Sequence, residues 1–430
     1  MMFAGNCVRR AMRFKGHSTL AALLGVMALV FPAAGNFAKA HSKVVLHRFY
    51  GGNDGGDPYG PLIADQAGNL YGTTEFGGGA NLGVVYELSP RDGGTWTETV
   101  LHSFNGADGA YANPGLTPDS QGNLYGTTFS GTGNVGGGVV FELSPSGNGA
   151  WTYTLLNGFG NAGSSEGSNP NGNLVLDASG NLFGSTQLGG AGVCTNFPGP
   201  CGVVFKLSPA PGKGGKWSET VIYSFRGPPD GSFPYGSVIF DTLGNLYGTT
   251  NEGGTGKCND GEGTIIGCGT VFELTASQSW AESRLYNFKK SEQNGPGDPL
   301  VFGRNGALYG TAGYDVFRLK PVGKIWKKQT IYEFTEGIAG TIPFSGVTFD
   351  RHGNLYGTTS SSGLDGYSTV FELSPLKAGG GPWTQVTLAK FGKGLDSNQP
   401  RGGVLVGQHG TLYGAVSDTA NRGYDFAIAR

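Results

Sequence analysis

Short apolar runs separated by glycine-rich polar turns recur along the chain from about residue 43 to its end. Over 61–104 they read as four strands. Strand A covers 61–65, a tight turn at Gly68-Asn69 leads to B over 70–74, and C covers 84–88 after a glycine-rich loop. D covers 95–104, after a break at Ser89-Pro90 and a turn at Gly93-Gly94. Strand lengths and turn residues of this kind predict an antiparallel meander.

The meander repeats. Gly-Asn-Leu-Tyr-Gly-Thr-Thr at 68–74 is echoed from Gly122, Gly180, Gly244, Gly306, Gly353 and Gly410, at intervals of 54, 58, 64, 62, 47 and 57 residues. Such a period suits a four-stranded unit, whose sheet buries both faces only when neighbours stack on it. Every strand D ends in phenylalanine: Phe49, Phe104, Phe159, Phe225, Phe288, Phe334 and Phe391. All six tryptophans (Trp96, Trp151, Trp217, Trp280, Trp326, Trp383) open a strand D, a fixed position that predicts packing between sheets rather than ligand stacking.

The seventh unit stops after its strand C, whereas 44–49 matches 100–104 and is an orphan strand D. Inserting one beside the other closes the set without a broken edge. The expected fold is therefore all-β: a seven-bladed β-propeller of four-stranded antiparallel blades, closed by strand 44–49 completing blade 7. It spans 41–430, with repeats beginning near 61, 115, 173, 236, 299, 346 and 403.

The repeated phrase, followed by a stretch such as Gly269-Thr270-Val271-Phe272-Glu273-Leu274-Thr275, resembles the GloVer tandem repeat of exported "choice-of-anchor" bacterial proteins. The resemblance covers about 43–430. It implies an extracytoplasmic, propeller-like protein and brings no activity with it. Relative to that pattern no C-terminal anchor is expected, and the fifth repeat (Gly306 to Thr311) is the poorest match.

Residues 1–40 read as a signal peptide: Arg9, Arg10, Arg13 and Lys15 precede an apolar run over 20–31, and Ala38-Lys39-Ala40 is a small-x-small cleavage pattern. Cleavage after Ala40 leaves 24 basic against 31 acidic residues, a net charge of −7. A mildly acidic chain without a basic run argues against nucleic acid as partner. The protein is expected to be secreted or periplasmic, not membrane-spanning after cleavage, and a monomer. Glycine, at 81 of 430 residues, marks a turn-rich fold rather than disorder. Cys194, Cys201, Cys258 and Cys268 form two close pairs, each expected to close its own loop as a disulfide in an oxidising compartment.

With strand A innermost, the long and unequal B–C and D–A loops share one face of the disc, and a site is expected there. Those loops contain no histidine, so a Ser-His-Asp triad or a histidine metal site is not expected. Asp65, Asp119, Asp177, Asp241 and Asp350 precede the Gly-Asn turn and should accept bonds from turn amides. Glu87, Glu142, Glu273 and Glu372 recur in strand C and suit an inter-blade bond or ion pair. The D–A loops carry an Asp-Gly-x-x-Pro-like pattern with two readings: an Asx-turn, or a ring of acceptors around the channel for calcium or sugar hydroxyls. Candidate ligand-binding residues are Asp57, Tyr59, Asp108, Tyr111, Phe197, Asp230, Phe233, Tyr314, Asp396 and Arg401. Asp260 and Glu262 are calcium candidates that lack the Asp-x-Asp-x-Asp-Gly spacing; no cofactor is otherwise required. Tyr235 and Phe344 belong to the same aromatic loop set.

These features favour a binding module for an extracellular glycan or protein. A carbohydrate-active hydrolase or lyase using carboxylates is the alternative, and a structural envelope component the third. No reaction motif is present, so a non-enzymatic role is favoured.

Overall fold

The computed structural model describes residues 42–112, 115–131, 136–194, 199–210, 215–259, 261, 263–292, 295–335, 342–360, 367–376, 381–392, 399–418 and 420–430. Residues 1–40 form a separate unit outside that set, so the leader expected there is not described.

The described residues of 42–430 build seven antiparallel propeller blades, with the two-stranded pair Gly231–Ser232 and Glu252–Gly253 as a small separate sheet at the fourth. Blade 1 comprises Ile63–Ala64 (A), Leu70–Phe76 (B), Val84–Pro90 (C) and Trp96–Ser103 (D). Blades 2 to 6 follow within 117–158, 168–224, 231–287, 301–333 and 342–391. Blade 7 takes Val404–Val406 (A), Leu412–Ser417 (B) and Gly423–Ile428 (C) from the end of the chain, and Lys43–Phe49 as its D strand. In every blade the D strand carries a bulge opposite the middle of C, at Leu101 in blade 1 and at Leu46 in blade 7. A strand from the other end of the chain thus reproduces a local irregularity of the repeat, as expected if it is the missing D strand.

Each residue of the repeated phrase has a structural duty. Gly68 turns at φ +88°, and the Asn69 amide nitrogens donate to both oxygens of Asp65 at 2.9 and 2.8 Å. The expected turn-acceptor role of the aspartates recurs at Asp119, Asp177, Asp241 and Asp350. Leu70 is buried. The Tyr71 ring meets Trp151 of the next blade at 6.1 Å, and its hydroxyl donates to Asp65. The middle glycine lies under a strand-C ring: a Cβ on Gly126 would sit 2.5 Å from Phe141. The second threonine accepts from the strand-C backbone, as Thr74 does from the Val84 N–H. The first reaches into the next blade, as Thr249 does in donating to the Asp298 carbonyl.

The cores lie between blades. The phenylalanine ending each D strand packs against the strand-C ring of the following blade, with centroids 4.9 to 5.4 Å apart. Phe49 of blade 7 meets Tyr86 of blade 1 at 4.9 Å, so the series has no gap. The tryptophans pack between sheets as expected, each against a ring of the preceding blade's phrase. Where blade 7 has no tryptophan, the guanidinium of Arg430 lies 4.8 Å from the Tyr356 ring and bonds Glu372 and Asp350.

Two expectations change. Glu372 makes the inter-blade pair foreseen for the strand-C glutamates, but Glu87 and Glu142 accept from Ser89 and Ser144, two residues on in their own strands. Strand A is also shorter than 61–65 and is preceded by a second inner piece, Gly56–Pro58 in blade 1. Both disulfides form as paired, Cys194–Cys201 and Cys258–Cys268, and they fit an oxidising compartment. No helix among the described residues is long and apolar enough to cross a membrane.

Candidate functional site

The divided inner strand builds the channel wall. In blade 1, Pro58 pairs with Thr74 and Ile63 with Tyr71, so four residues, 59–62, stand opposite two. The excess bows away from the sheet, carrying Tyr59 inward. Blades 3 and 6 repeat the geometry, with 171–174 and 344–347 bowed between their paired ends. The first bowed residue in these three blades follows the loop proline (Tyr59, Asn171 and Phe344), and Tyr235, Gly297 and Arg401 follow a proline at the same place in blades 4, 5 and 7. All six line a cavity of about 760 Å³ along the channel. Six blades thus place residues of five types at one slot, five of the residues carrying a side chain and the sixth a glycine.

Tyr59 is the hub. The Arg401 guanidinium lies 5.5 Å from its ring and 5.7 Å from that of Phe344, between two aromatic walls. Arg401, Tyr235, Glu75 and Asp298 all lie within electrostatic reach of the Tyr59 hydroxyl, and burial pushes that hydroxyl up to about 12. Asp298 sits on the channel wall and accepts a 2.6 Å bond from the Thr311 hydroxyl. Enclosure by protein pushes its carboxyl up to about 6, against the opposing pull of that bond. Asp57, 6% exposed, holds φ +56°. Burial pushes its carboxyl up, and Arg401 draws it back down. Among the described residues, Asp57 Oδ1 and Arg401 Nε are buried without hydrogen-bond partners. Glu75 is likewise raised by burial and by Asp57, and lowered by Arg401.

The candidate residues separate into groups. Tyr59, Tyr111 and Arg401 line the channel and its mouth, and buried Asp57 lies within electrostatic reach of Arg401 and Glu75. Asp108 instead accepts from both Asn105 nitrogens and lies 3.1 Å from His102 Nε2; Asp230 accepts from the Tyr223 hydroxyl and the Arg226 amide. Both therefore hold their own loops, as Asx-turns do. Phe233 packs against the core between blades 3 and 4, and its N–H bonds the Cys201 carbonyl. Tyr314 is half-buried, and its carbonyl accepts from Phe334. Phe197, Asp396, Asp260 and Glu262 lie outside the described residues. Among the described residues, no three acids, histidines or cysteines group as metal ligands.

The mouth is also lined by Glu75, Phe76, Phe129 and Asn171, which the loop sequences do not single out. Their signal was positional. Glu75 and Phe129 each follow directly on a Thr-Thr pair, where the repeated phrase gives way to unlike residues, and Asn171 follows a loop proline.

No curated protein matches the chain. Among solved structures, a protein from Thermus thermophilus provisionally assigned as an oxidoreductase (glucose dehydrogenase) aligns at 14% identity. The alignment covers 90% of this chain and 100% of that one, with a TM-score of 0.43, a likeness too slight to carry an argument. The family described as the Gloeobacter/Verrucomicrobia repeat matches residues 36–266 and 258–428. The two stretches take in every blade, and the chain belongs to the Gloeobacter/Verrucomicrobia repeat family.

Proposed function

We propose that the protein is an exported binding module that takes a glycan at the mouth of its channel. The observation that carries this reading is the ring of unlike residues after the loop prolines, Tyr59, Asn171, Tyr235, Phe344 and Arg401, around one recessed cavity. Its volume falls within the ~300–1,000 Å³ usual for small-ligand sites. Aromatic faces suit sugar rings, while amide, hydroxyl and carboxylate groups suit their hydroxyls. A recessed cavity favours a glycan chain over a flat protein surface.

The test is a glycan array probed with residues 41–430, followed by calorimetry on the hits. Tyr59→Ala and Tyr235→Ala should each weaken binding about tenfold or more, the scale of a lost ring contact at a binding hot spot. An empty array, or hits indifferent to both substitutions, would contradict the proposal. The alternative enzymatic reading is favoured by one observation, the enclosed Asp298 carboxyl raised to about 6, which suits a proton donor near neutral pH. Turnover of an array hit that Asp298→Asn abolishes would replace binding with catalysis.

A further inference from the structure

The outer mouth has a chemistry that sugar recognition alone does not require. A second pocket of about 400 Å³ opens there and shares Tyr59, Asn171 and Tyr235 with the main cavity. Its wall holds five aromatic residues, Tyr59, Phe76, Tyr111, Phe129 and Tyr235, and one carboxylate, Glu75. Phe76 and Tyr111 meet edge to face at 5.6 Å, and Tyr235 is 40% exposed and open to a ligand. Burial and the charge of Asp57 push the Glu75 carboxyl up, and Arg401 draws it back down.

We infer that this mouth binds an organic ammonium group, with Glu75 as its counter-ion and the five rings as its walls. Ring faces carry partial negative charge and attract a cation that has shed some of its water, which a metal ion does reluctantly and an alkylammonium readily. Rings are not metal ligands, and one carboxylate does not make a calcium site. Charge around the channel points the same way: Asp57 and Glu75 are both within reach of Arg401, and Asp298 adds a third carboxyl near Tyr59. Arg401 already acts on both Asp57 and Glu75, so an anionic ligand would enter against an excess of acid. The inference deepens the glycan proposal, on which it rests for one source of the group, the free amine of an amino sugar. A quaternary ammonium is the other source.

Calorimetry on residues 41–430 with three probes separates these cases: a glucosamine tetramer at a pH where its amines are charged, the N-acetylglucosamine tetramer, and choline. The free-amine tetramer should bind about tenfold tighter than its N-acetylated counterpart, with choline competing. Glu75→Gln should remove that preference, bringing the two tetramers to about equal affinity, while leaving the melting temperature unchanged. Equal or tighter binding of the N-acetylated tetramer would overturn the inference and leave the glycan proposal standing. A preference that survives in Glu75→Gln would also overturn it. Binding of choline with neither saccharide would support the ammonium site with a quaternary ammonium as its source. Silence from all three probes would overturn the ammonium site, while the glycan proposal would still stand or fall on the array.

Discussion

A chain lacking Lys43–Phe49 should lose its cooperative unfolding transition and self-associate. The strand supplies the D position of blade 7, pairing with Gly423–Ile428 from Lys43↔Ile428 to Phe49↔Gly423. It also supplies Phe49, 1% exposed, which packs on Tyr86 of blade 1. Removing it therefore breaks a ladder and an inter-blade core together. Losing a buried phenylalanine costs about 1.5–3 kcal/mol and each ladder bond about 1, giving a total on the order of 5 kcal/mol or more. Typical domain stability is only ~5–15 kcal/mol. The bared edge of Gly423–Ile428 would then invite pairing between chains. Urea denaturation and size-exclusion chromatography of the truncated chain check this, with a peptide of residues 42–50 expected to restore the monomer. An unchanged midpoint in a monomeric truncated chain would refute it.

The second large effect concerns pH. At the junction of blades 7 and 1, Asp425 stands where other blades have Val85, Val140, Val204, Val271, Val316 and Val370, and Tyr86 stands where they have phenylalanine. The Tyr86 hydroxyl donates to Asp425 Oδ2 at 2.8 Å, while Oδ1 has no partner among the described residues. Full burial pushes the Asp425 carboxyl from 3.8 up to about 8, against the smaller opposing effect of Tyr86. The folded state thus holds this proton more tightly than the unfolded chain. Its stabilising effect is complete below pH ~4, falls progressively toward pH 8, and stops changing above that. Asp425→Asn retains an acceptor for Tyr86 without titrating. It should leave stability near pH 4 little changed and raise it at pH 8 by on the order of a few kcal/mol. Glu98, Glu219 and Glu282, each raised by burial to about 7, add slopes of the same sign. The difference between variant and wild-type urea midpoints across pH 4–9 isolates Asp425, and parallel profiles would refute the assignment. The pair also gives the closing interface an identity, since Asp425 facing a phenylalanine of any other blade would have no donor.

Much of the scaffold was legible because its determinants are local or recur. The Asp-x-x-Gly-Asn turn, the buried leucine and the glycine beneath a ring each act within one blade, and repetition marks them as structural. The orphan strand was legible because Val44 to Phe49 copies a sequence whose place in the repeat is known. The site was less so. Whether residues 59–62 bow inward depends on Pro58 pairing with Thr74 while Ile63 pairs with Tyr71, a registration the loop sequence does not announce. Asp108 and Asp57 look alike in sequence, each next to a glycine in a D–A loop. One is held by Asn105 at the loop and the other is buried beside Arg401 from the opposite end of the chain. Likewise Glu87 and Glu372 share a slot, and only the position of Arg430 makes the second an inter-blade pair.

The proximity of Tyr59 to Arg401, and with it the channel mouth, depends on the ring closing through Lys43–Phe49. Val44 and Ala427 are opposite one another in that ladder. Replacing both with cysteine and oxidising the protein under dilute conditions should give a cross-link within a single monomeric chain, identified by peptide mapping. A cross-link found only between chains, or none at all, would contradict the closed ring.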